Sequence, residues 1–158
     1  AVSKYITFDK YLLSSLNGRT FYLHNVGNYN EFYGTHQTSS LSLIVNPNKT
    51  MVSSFHVIDW LTDLLTSGGA DIVNLTFNTL QITNTHQDTG VMTLSTRDDL
   101  TRRFRKWRLN TFRDQTVGNT DTKIRDSWIK TVFTWIQDAN HRKLIVHPID
   151  FYWIPSKI

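Results

Sequence analysis

The chain has 158 residues, of which 39% are hydrophobic and 13% aromatic, and it carries a net charge of +4 with a pI near 9.4. That length suffices to bury a sizeable core, and the absence of cysteine excludes disulfide staples and thiol chemistry. Ser, Thr and Asn are plentiful while Ala and Glu are scarce, a balance that disfavours helices and predicts an all-β protein. The expected architecture is a single region over residues 1–158 of antiparallel sheets and hairpins, sandwich-like or propeller-blade-like, with few or no long helices. No apolar run has the length needed to cross a bilayer.

The sequence opens Ala1-Val2-Ser3 and passes directly into YITF at residues 5–8, which has the character of a strand; a fragment of a larger protein is expected. Two apolar runs, 11–16 and 19–24, flank Asn17-Gly18. That pair is the strongest short-range hairpin signal, because both residues accept positive φ. HNVGNYNEFYG, residues 24–34, predicts a tight turn and a short aromatic strand whose rings enter the core. Residues 40–45 form a strand that Asn46-Pro47-Asn48 must end, since proline has no ladder donor.

Residues 51–58 predict the next strand. DWLTDLL, residues 59–65, sets Trp60, Leu61, Leu64 and Leu65 on one helical face with Asp59 as cap, and so predicts a short helix. After the turn at Ser67-Gly68-Gly69, residues 71–85 predict one long strand, polar and β-branched on both faces, to be covered by other protein or by a large sheet. Residues 87–90 turn the chain towards 91–95. Residues 114–122 predict a loop with its tip at Gly118-Asn119. RDSWIKTVFTWIQ, residues 125–137, carries large apolar groups on both faces and predicts a central strand. Asp138-Ala139-Asn140 would turn it into KLIVHPIDFYW, residues 143–153, as a terminal hairpin with Pro148 at an edge or bulge.

The segment RDDLTRRFRKWRLNTFR, residues 97–113, holds seven of the seventeen basic residues. Read as one strand, it places Arg105, Trp107 and Leu109 on one face and Phe104, Lys106 and Arg108 on the other. Neither face is purely apolar, which suits a surface covered by a partner, because Arg stems pack on rings while the guanidinium groups find carboxylates or phosphates. Arg102, Arg103, Phe104, Arg105, Lys106, Trp107 and Arg108 are therefore the candidate interface or nucleic-acid contact. In the nucleic-acid reading Phe104 and Trp107 are the stacking platforms; in the plainest reading the charges guard a solvated edge.

Catalytic patterns are missing. There is no G-x-S-x-G elbow, no Walker motif and no dinucleotide glycine pattern, so no enzyme activity and no cofactor are expected. The six histidines are scattered, and His141 with His147 lacks the further ligands of a metal site. Asp59 with Asp63 is assigned to a helix start, and Asp98 with Asp99 to neutralising the neighbouring arginines.

The order of HNVGNYNEFYG, SLSLIVNPN, KTMVSSFHVIDWLTD, NLTFNTLQITNTHQDTG, RRFRKWRLNTFRD, KIRDSWIKTVFTWI and KLIVHPIDFYW resembles the C-terminal part of the tail stabilisation, or muzzle, proteins of crAss-like phages. The resemblance runs from about His24 onward. It implies a structural virion protein at the distal end of a short tail, similar in role to the nozzle proteins that form six-fold rings around a DNA channel and include β-propeller domains. It further implies the rest of a longer precursor, copies of the chain in a ring, and other tail and ring proteins as partners. Transient contact with phage DNA, assembly in the host cytoplasm and a C-terminal fragment left by proteolytic maturation belong to the same expectation.

Overall fold

The computed structural model describes residues 4–16, 18–110, 112–116, 122–136 and 140–156. Asp9, at φ +52°, lies in the tight turn between β1 (Lys4–Phe8) and β2 (Tyr11–Ser15), and β3 (Phe21–Leu23) returns past Gly18 at φ +75°. The hairpin expected around Asn17-Gly18 is present, with Leu13 opposite Leu23, and β1 extends it to three strands; Asn17 itself lies outside the described residues. Tyr33 and Gly34, at φ +55° and +74°, join the two-residue strands β4 (Glu31–Phe32) and β5 (Thr35–His36). Tyr33 packs edge-on against Tyr22, but Tyr29 and Phe32 stand exposed, so only part of this aromatic segment is internal.

β6 (Ser39–Val45) stops before Pro47 as expected. The following strand does not. β7 runs unbroken over Ser53–Leu65, and the helix expected at 59–65 is absent. The reason is long-range: β7 is covered along both edges, so each residue that would have closed a helical turn finds a ladder partner instead. Along one edge lies β14 (Lys143–Pro155); along the other lie β11 (Lys106–Asn110) and β12 (Arg125–Asp126). Its even-numbered residues Ile58, Trp60, Thr62 and Leu64 point inward and are buried.

The long strand expected over 71–85 shrinks to β8 (Thr79–Thr83). Asp71 and Ile72 instead continue the end of β7 by backbone pairing with Leu65 and Leu64, and Thr76 is drawn inside to accept a hydrogen bond from the indole Nε1 of Trp60 at 2.8 Å. β9 (Met92–Thr93) leads through a short 3-10 turn, Leu94–Thr96, to β10 (Leu100–Arg103). β13 (Ile129–Trp135) is central, as expected, lying between β6 and β8. The terminal hairpin is a correction: β14 pairs with β7, not with β13. Pro148 does sit at a register shift, between Val146 and Ile149, where a missing donor breaks no ladder bond. Gly118-Asn119 and Asp138-Ala139 lie outside the described residues.

Two antiparallel sheets result, β10-β11-β7-β14 with β12 on the β11 side, and β6-β13-β8-β9. They meet over one apolar core in which Trp60 of the first sheet lies edge-on to Phe133 of the second, with ring centres 5.5 Å apart. Leu80, Ile82, Ile129, Phe133 and Leu109 are all fully buried in it. This is the sandwich form of the expected all-β fold. Among the described residues no helix is long and apolar enough to cross a membrane.

Candidate functional site

The basic segment is a hairpin rather than a single strand. Phe104 and Arg105 occupy the left-handed region, at φ +49° and +70°, and form the two-residue turn joining β10 to β11. Two successive positive φ values give the mirror-image turn that matches strand twist. Here it is built from residues that pay for the conformation in Cβ strain, and neither residue announces a turn. Beyond the turn the alternation is as read: Trp107 and Leu109 face the core, Lys106 and Arg108 face out. Trp107 is therefore unavailable as a stacking platform. Its cross-strand neighbour Arg102 covers it instead, with the guanidinium carbon 5.6 Å from the ring centre.

The outward cations meet acids supplied by strands distant in sequence. Asp59 and Asp63 are spaced by four on one face of β7, and Asp150 of β14 lies beside Asp59 in the ladder. Arg108 donates from Nε and Nη2 to the two carboxylate oxygens of Asp59, each at 2.7 Å, and Asp59 is only 4% exposed. Lys106 donates to Asp150 at 3.1 Å, and Arg105 donates to Asp63, which His147 Nε2 also approaches at 2.8 Å. These bonds raise the pKa of Arg105, Lys106 and Arg108, and the bonds from Arg105 and then His147 hold the Asp63 carboxyl below its ordinary value. Arg97 is likewise held by Asp99 through two bonds of 2.6 and 2.7 Å, as expected for that acid.

Consequently the charge that dominates the sequence is largely answered within the sheet. What projects from the hairpin is Arg103 and, at the tip, Phe104, whose side chain lies wholly in solvent. Reading Asp59 and Asp63 as a helix start hid their role. Even spacing on a strand would have placed them on one face, but only the register of β11 brings the cations opposite.

Two further clusters escaped the sequence. Arg113 and Lys123 are bridged backbone to backbone, and Arg125 lies close by; burial, followed by the charges of Lys123, Arg125 and Arg113, keeps the pKa of His56 below its ordinary value. Separately, Glu31, His36 and His141 converge although they are dispersed along the chain. His141 meets His36 with ring centres 4.8 Å apart, whereas His147 is committed to Asp63.

Among curated proteins none matches the chain. The family model of the Crassvirus muzzle protein C-terminal domain matches residues 27–114, more than half of it, a span that contains β4 to β11 and therefore the whole basic hairpin. The chain thus belongs to the Crassvirus muzzle protein C-terminal domain family, and its role is a structural one in the phage tail.

Proposed function

We propose that the chain helps to build the distal ring of the tail around the DNA exit channel, without catalysis, and that the β10–β11 hairpin makes its contact with a neighbouring copy in that ring. The match over residues 27–114 carries the tail assignment. Phe104 supports the contact: a fully exposed ring on a paired hairpin gains about 1.5–3 kcal/mol when a partner covers it. Arg103 beside it offers a charged donor for the rim of such a contact. The candidate set of Arg102, Arg103, Phe104, Arg105, Lys106, Trp107 and Arg108 then divides into a projecting tip and a base whose charges brace the hairpin. Electron microscopy of assembled particles carrying a label on this chain tests the assignment: label at the tail tip is expected, and label elsewhere on the virion overturns it.

Contact with phage DNA is a second reading, supported by a different observation. Lys123 and Arg125 stand exposed along one shallow depression that His86 and Gln87 also line, whereas Arg105, Lys106 and Arg108 hold acids within the sheet. Salt-dependent binding of double-stranded DNA should therefore fall on replacing Lys123 and Arg125 by Ser more than on replacing Arg105 and Arg108. Absence of binding at low salt removes this reading.

A further inference from the structure

The small hairpin β4–β5 buries little of its own. Each strand has two residues, Phe32 is half exposed, and Thr35 and His36 are exposed. Two-stranded pieces of this size are marginal unless something else holds them. Cross-strand pairing puts Glu31 directly opposite His36, so the two side chains share a face. His141, just ahead of β14 and held at φ +50°, brings its ring to the same place from the sandwich side.

The three donor atoms lie within 4.8 Å of one another. A point therefore exists no more than about 2.8 Å from all three, so closing to the roughly 2.0–2.2 Å of zinc–nitrogen and zinc–oxygen bonds needs side-chain movements of under about 1 Å. The His141 Nδ1 is 3.7 Å from Glu31 Oε2, too far for a hydrogen bond, and is buried without a hydrogen-bond partner among the described residues. A buried ring nitrogen left this way is costly, and a cation between it and the carboxylate satisfies both. Asn28 donates to the same Glu31 oxygen at 2.8 Å and fixes the carboxylate, as the outer partners of metal ligands do.

We propose that Glu31, His36 and His141 form a divalent zinc site, with solvent completing the coordination, that staples β4–β5 to the sandwich. Two neutral imidazoles and one carboxylate are the donor set that suits zinc rather than calcium or magnesium. The bond is structural: it joins a segment near residue 30 to one beyond residue 140, and it is independent of how the tail ring is arranged.

The test loads the purified protein with zinc chloride at neutral pH, removes free metal by gel filtration and measures bound zinc by elemental analysis. One zinc per chain is expected, together with slower amide exchange across residues 31–36. The substitutions His36→Ala and His141→Ala should each lower retention at least tenfold, whereas His86→Ala, a histidine outside the cluster, leaves it unchanged; circular dichroism checks that each variant stays folded. Zinc retained equally by the His36→Ala/His141→Ala double variant, or no retention by the parent protein, overturns the proposal. So does retention without any change of exchange at 31–36, because the staple would then be absent.

Discussion

The sandwich and the N-terminal sheet are built from the same kinds of residue yet treat them in opposite ways. In the sandwich, large apolar groups from both sheets close on one another, with Trp60, Phe55, Phe112 and Phe133 almost wholly buried. In β1–β3, Tyr5 is 64% and Phe8 72% exposed, and every residue of β1 faces solvent. What organises that region is polar: Ser14, 1% exposed, pairs through its hydroxyl with His24 Nε2 at 2.6 Å and with the Tyr33 hydroxyl at 2.7 Å. An aromatic strand gains stability only from a second layer to press against, and the sandwich supplies two such layers while β1–β3 has one. Exposed aromatic rings therefore gather in the N-terminal sheet, whereas those of the sandwich core are enclosed.

The contrast gives graded predictions. Phe133→Ala should remove about 3–5 kcal/mol of stability and lower the denaturant midpoint of the whole sandwich; an unchanged midpoint would mean that the shared core is not what holds the sheets together. Thr76→Val deprives the buried Trp60 indole of its acceptor and should cost about 1–3 kcal/mol, again across both sheets in hydrogen exchange. Ser14→Ala should cost about 1 kcal/mol, with faster exchange confined to β1–β3. Spread of that effect into β13 would show that the two regions melt as one unit.

Acid sharpens the comparison by a different route. Asp63 has its pKa lowered by Arg105 and then His147; for Asp114, burial pushes the pKa up, but bonds from the backbone of Thr116 and Asp88 outweigh it and leave it lowered. Both groups titrate lower folded than unfolded, so the stability they contribute is present above about pH 4 and is lost as the pH falls further. Acid should therefore loosen the sandwich through β7 and the Asp114 turn; acid loss confined to β1–β3 would contradict this. Phe104→Ser is the smallest effect, under about 0.5 kcal/mol on the isolated chain, and in the proposed ring it should still reduce incorporation into particles. A variant that assembles normally would place the contact elsewhere.

Features written in two to six consecutive residues were legible. Asn17-Gly18 announced a hairpin, Pro47 ended β6, Pro148 marked a bulge, and the scarcity of Ala and Glu excluded long helices, because turn chemistry and backbone preference act locally. Partnership was not legible in that way. Trp60, Leu61, Leu64 and Leu65 fit a helical face or a strand covered on both edges, and the choice fell to β11 and β14, which lie far along the chain. The alternation of 125–137 was equally compatible with β14 or with β6 and β8 as neighbours. Asp59, Asp63 and Asp150 answer the basic hairpin, and Glu31, His36 and His141 assemble, only once those pairings exist. A strand's own residues state which side faces inward, whereas its neighbours are selected by the burial that the entire set of strands can achieve together.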